Sequence, residues 1–164
     1  MTKMEEIKTQ VNEYFTVLKE ITEKRLLWES STKDRLWDTL TNVVKSTSIR
    51  GEVRFLGEKI KNSEGIQLFL SDSPSGISET TNSGGKLFVK RGGFLNFSQL
   101  YNGDIVVIIG FPYVVELMEE INPLEIGKFH PSLITEEFIY DKVGIFLNKM
   151  IQWERSTQDD NLYL

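Results

Sequence analysis

The residues best suited to chemistry lie between positions 71 and 93. Ser71, Ser73, Ser75, Gly76, Ser83, Gly84 and Gly85 precede Lys86, and Lys90, Arg91, Gly92 and Gly93 follow. Glycine-rich backbone beside cations is how proteins cradle phosphates, because open amide N–H groups and positive charge converge on the anion. Ser83, Gly84, Gly85, Lys86, Lys90 and Arg91 are therefore the candidate anion-binding residues, for a phosphate or a nucleotide-like small molecule. Neither the phosphate-loop spacing nor GxGxxG is present, and no helix start follows the glycines. A solvated loop and a β-turn account for the same residues.

The remaining candidates are sparser. Glu116, Glu119 and Glu120 share one side of an expected short helix and could approach a magnesium ion, with Asp104 and Asp72 as nominal further ligands. A solvated helix face explains them equally, so no metal site is assigned. His130 is the single histidine and there is no cysteine. Disulfides, thiolate nucleophiles, Cys-based zinc sites and paired-His metal sites are thereby excluded within one chain. Any enzyme here would rely on carboxylates, Lys, Tyr or Arg, and no cofactor is implied. Phe88, Lys90, Arg91, Phe94 and Phe97 interleave rings and cations as single-strand nucleic-acid platforms do, but alternating strands produce the same pattern. A net charge of −5 argues against a general nucleic-acid binder.

The elements that must position these residues follow from periodicity. Met4, Ile7, Val11, Tyr14, Leu18, Ile21 and Trp28 recur at spacings of three and four, interrupted by Arg25. They form one stripe of an α-helix, with Met4, Val11, Leu18 and Arg25 at heptad position a and Ile7, Tyr14, Ile21 and Trp28 at d. Phe15 and Val17 widen the stripe beyond a narrow coiled-coil seam. Two partners are open to it, a second helix in a coiled coil or the chain's own sheet. Ile7, Val11, Tyr14, Leu18 and Ile21 are the candidate partner-binding residues.

Ser30, Ser31 and Thr32 break the pattern, and Ser31 with Asp34 resembles a capping box. A second helix is expected over 33–46, in a new register set by Leu36, Leu40, Val43 and Val44, after a kink or hairpin. Period-two alternation then predicts strands over 49–55, 66–71, 86–91 and 94–97, with a turn at 62–65. The stretch 72–85 reads as a long polar loop. Five branched aliphatics at 105–109 read as a strand covered on both faces, with the first and last helices as covers. Pro112 starts an expected short helix to about 121, and an irregular stretch follows. A last helix over 135–155, capped by Thr135, carries Phe138, Ile139, Val143, Phe146, Leu147, Met150 and Trp153, and holds Gly144 at a position where another element could come close.

The chain has 164 residues, 40% hydrophobic and 26% charged, which suits a globular domain with a sizeable core. The expected class is α+β: a mostly antiparallel sheet of about five strands with two N-terminal helices and a C-terminal helix packed on it. The expected organisation is an N-terminal helical segment over 1–48, an α+β domain over 49–156 and a flexible tail over 157–164. No apolar run follows Lys3, Glu5 and Glu6, and none is long enough to span a bilayer, so a soluble, cytoplasmic protein is expected. The leading functional reading is a non-enzymatic interaction or assembly module, acting through its N-terminal amphipathic helix by self-association or with a protein partner. The alternative is a small-molecule-binding or carboxylate-dependent enzyme domain using residues 72–93.

Overall fold

A computed structural model describes residues 1–57 and 63–156. The turn expected at 62–65 lies partly outside them, and the tail expected over 157–164 lies wholly outside.

Helix α1 (Lys3–Leu27) runs through a five-residue π-turn (Trp28–Thr32) directly into α2 (Lys33–Ser46). The expected break between two N-terminal helices is therefore corrected to one continuous helix. Thr32 keeps helical dihedrals and makes no side-chain cap, Ser31 Oγ donates back to the Leu27 carbonyl at 3.2 Å, and the Lys33 N–H reaches the Trp28 carbonyl. The physical reason lies in the change of register at this point. A π-turn absorbs one extra residue without ending the helix. Discounting that residue turns the step from Trp28 to Leu36 into one heptad, so Leu36, Leu40 and Val43 continue the stripe that begins at Met4. The Thr32 hydroxyl, buried with no hydrogen-bond partner, marks what this adjustment costs. At about 1.5 Å per residue the whole helix is roughly 65 Å long, about twice the diameter of a small domain.

Among the described residues eight strands follow: β1 (Gly51–Leu56), β2 (Gly65–Leu70), β3 (Ser73–Thr81), β4 (Gly84–Arg91), β5 (Phe94–Gln99), β6 (Ile105–Gly110), β7 (Tyr113–Val114) and β8 (Leu124–Phe129). The main sheet has the order β1-β2-β5-β6-β8 with every neighbouring pair antiparallel, and β3, β4 and β7 form a second, smaller sheet. Helix α3 (Glu136–Ser156) closes the described chain, with Thr135 Oγ1 accepting from the Phe138 N–H at 3.1 Å as its cap. The class is α+β.

One face of the main sheet carries Ile66, Leu68, Leu95, Phe97, Ile105, Val107 and Ile109. These meet Trp28, Leu36 and Leu40 from the first helix and Ile139, Val143, Phe146 and Met150 from α3. The covers are thus α2 and α3, and α1 is not one of them. On the opposite face Val106 is also buried, flanked in register by Ser98 and Lys128 rather than by a helix.

Four further expectations are corrected. The polar stretch after Asp72 is a strand, β3, paired with β4 into an arm outside the main sheet. The strand expected over 86–91, β4, leaves the main sheet with it, and the fifth place there is taken by β8, in the stretch read as irregular. A register shift between Val107 and Ile108 lets Ile126 and Phe129, three apart, both pack against the core, which hides the period of two. Pro112 leads into β7 and turns rather than a helix. Gly144 admits no close neighbour, since a Cβ there would meet nothing within 4 Å.

Candidate functional site

The first twenty residues form an overhang in which no side chain is buried. Met4, Ile7, Val11, Tyr14 and Leu18 are between 40% and 61% exposed, Phe15 and Val17 are exposed beside them, and Ile21 is half-buried where the overhang reaches the domain. The structure therefore brings the five residues singled out for partner binding onto one stripe, four of them open to solvent. Leu36 and Leu40, one register further along that stripe, have no exposure at all.

Local interactions hold the overhang helical. Thr2 is its cap: Thr2 Oγ1 accepts from the Glu5 N–H at 3.2 Å, and Glu5 Oε2 accepts from the Thr2 N–H at 2.7 Å. Hydrogen bonding to the carboxyl from the Thr2 backbone N–H, and second from the Thr2 side chain, holds Glu5 below the usual glutamate range. Glu5 and Glu6 in the first turn complement the helix dipole, and Lys3–Glu6 and Lys19–Glu23 pair along its surface. Exposed pairs of this kind contribute a few tenths of a kcal/mol each, about as much as a solvated helix can collect.

The other end of α1 is clamped to the turn between β5 and β6. Lys24 Nζ lies 2.9 Å from Asp104 Oδ1, Arg25 donates to the Tyr101 carbonyl and lies 5.1 Å from the centre of the Tyr101 ring, and Trp28 Nε1–H donates to Glu64 Oε2 at 2.9 Å. Gly103 sits under the helix with φ +86°, and a Cβ there would come within 2.6 Å of Lys24 Cβ. Arg25, which interrupts the stripe, thus serves its own domain. No signal in the sequence links it to a turn 76 residues away.

The candidate anion-binding residues are spread along the arm. Ser83 lies in its two-residue turn, Gly84 and Gly85 open β4, and Lys86 stands opposite Glu79. Lys90 and Arg91 lie at its base, roughly 13 Å from Lys86 at the rise of an extended strand. There Lys90 pairs with Glu154 beside Trp153, and Arg91 pairs with Asp72. Asp72 raises the affinity of the Arg91 guanidinium for its proton, first by hydrogen bonding and then by charge. A cleft of about 290 Å³ at this base is lined by Arg50, Asp72, Lys90, Gly92, Gly93 and Glu154. Gly92 donates its N–H to Asp72 Oδ1 at 3.2 Å, and its missing Cβ leaves room for the Leu70 carbonyl. The glycines here serve a crossing of chains, and Lys90 and Arg91 each have a carboxylate beside them.

His130 Nδ1 accepts from the Ser132 N–H at 3.0 Å and caps a short 3-10 turn (Pro131–Leu133). Glu116, Glu119 and Glu120 lie outside any helix, and among the described residues no three His, Cys, Asp or Glu side chains are grouped closely enough to hold a metal ion. No helix among the described residues is long and apolar enough to cross a membrane.

Comparison with known protein families, curated proteins and solved structures finds no match for this chain.

Proposed function

We propose that this protein is a non-enzymatic assembly module of the cytoplasm whose working surface is the exposed stripe of α1. The observation that carries the reading is the overhang itself. A helix of this length gains little from local interactions in water, and most helical stability in proteins comes from burying an amphipathic face. Here that face is continuous with one that is buried at Leu36 and Leu40, yet from Met4 to Leu18 it meets only solvent. A contiguous apolar stripe of this kind marks a surface for another protein. Support for the cytoplasm is compositional, resting on a chain without cysteine.

The small-molecule reading has weaker support. Its cations divide between the two ends of the arm, and Lys90 and Arg91 are paired with Glu154 and Asp72.

Deleting residues 1–20 tests the proposal, because it removes the stripe and spares Trp28. Cooperative thermal unfolding should persist while association, followed by light scattering or by capture of a partner, is lost. Retained association after the deletion would refute the proposal.

A further inference from the structure

Arg25 and Trp28 occupy the same stripe as the exposed residues, and both are engaged by the chain's own domain. Whatever covers the stripe must therefore stop near Ile21. A parallel second helix would run on past that level and bring its own domain into the space the first domain already fills. It would also set Arg25 against Arg25 at an a layer, and Lys3 against Lys8 across the flanking g and e positions. An antiparallel second helix meets neither obstacle. Its capped start lies at Ile21, and its domain is carried to the far end of the overhang.

The spacing of the stripe fits that arrangement layer by layer. Laid antiparallel, Met4 faces Ile21, Ile7 faces Leu18 and Val11 faces Tyr14, and the same three pairs repeat across the two-fold axis, so every layer joins an a to a d position. Arg25 falls outside the overlap, where Tyr101 holds it. Lys3 comes opposite Lys24, whose charge Asp104 already compensates at 2.9 Å. Phe15 comes opposite the aliphatic stem of Lys8, and Gln10 opposite Val17. Covering the six stripe residues with Phe15 and Val17 on each copy removes on the order of 500 Å² per chain, about 1,000 Å² for the pair, which reaches the lower bound for a specific interface.

We propose that the α1 stripe binds the α1 stripe of a second copy of this chain, antiparallel, with Met4 on Ile21, Ile7 on Leu18 and Val11 on Tyr14. This rests on the assembly reading above and names its partner and geometry.

The absence of cysteine makes the test direct. The full-length chain is first weighed by light scattering over a dilution series from millimolar to micromolar, where a dimer mass is expected. Full-length Ile7→Cys and Leu18→Cys variants are then oxidised separately and mixed. The proposal requires a disulfide-linked dimer in the mixture and none from either variant alone, since a disulfide needs Cα atoms within about 7 Å. Gln10→Cys mixed with Val17→Cys repeats the test outside the apolar layers, should the first pair weaken association. Self-linking of Ile7→Cys or Leu18→Cys alone means a parallel dimer, which overturns the geometry and leaves the assembly reading standing. A monomer throughout, with no links, overturns the second copy as partner. If deletion of residues 1–20 also leaves capture of other proteins unchanged, the assembly reading falls with it.

Discussion

The two ends of the N-terminal helix carry one apolar stripe in phase, yet they live in different environments. Leu36 and Leu40 are sealed between sheet and α3, whereas Val11 and Leu18, of the same kind and spacing, stand in solvent. The difference teaches that amphipathic periodicity states which face of a helix must be covered and says nothing about what covers it. The buried end is stabilised by its own sheet. The overhang depends on a capping box and a few surface ion pairs.

The comparison breaks most visibly under side-chain truncation. Trp28→Ala is expected to cost about 3–5 kcal/mol and Leu40→Ala about 2–5 kcal/mol in denaturant unfolding, from lost burial plus the cavity left behind. Leu18→Ala, measured where the chain is monomeric, should stay within about 0.5 kcal/mol. Equal losses at Leu18 and Leu40 would mean that the overhang belongs to the core.

The boundary between the two ends is sharpened at the β5–β6 turn. Gly103→Ala forces a side chain into the left-handed region and against Lys24, and should cost about 1–2 kcal/mol. Exchange protection of the amides around Lys24 and Arg25 should fall with it, while that of 36–40 changes little.

A smaller effect belongs to the free end. The Glu5 carboxyl is held below its ordinary range only while the capping box is formed. Its contribution is therefore fully present above the ordinary glutamate range and is lost as pH falls through the lowered folded value. Backbone chemical shifts of residues 3–6 should lose their helical signature on acidification, and Glu5→Gln should flatten that response. Thr2→Ala, which removes the acceptor for the Glu5 N–H, should fray the same turn at neutral pH by about 1 kcal/mol.

The smallest effect has the opposite sign. Gly144 lies inside α3 with open space where a Cβ would go, so Gly144→Ala should stabilise by about 0.5–1 kcal/mol in thermal unfolding. A loss instead would show that a neighbour approaches α3 there.

Much of the fold was legible. The stripe from Met4 to Trp28, the alternations at 49–55 and 66–71, the aliphatic run at 105–109 and the Thr135 cap each report their element through contacts a few residues apart. Of the arm, the alternation at 86–91 reported β4, but β3 was not legible, because a hairpin with much of its surface in solvent needs little hydrophobic alternation, and β3 reads Ser-Pro-Ser-Gly-Ile-Ser. Strand β8 was hidden by the register shift beside Val107, and the π-turn by three hydroxyl residues that resemble a cap. Of the candidate site, the stripe was readable from spacing, whereas its exposure and the pairing of Lys90 with Glu154 and Arg91 with Asp72 were not.

By itself, then, the sequence determined periods, caps and the identity of the apolar faces, all of which depend on residues within one or two turns of each other. Tertiary structure alone decided that α2 is covered and the overhang is not, that Arg25 is spent on Tyr101, and that the glycine-rich segment forms an arm. Those outcomes depend on which distant surfaces meet, and the Lys24–Asp104 and Lys90–Glu154 pairs, joined across long stretches of chain, have no local trace.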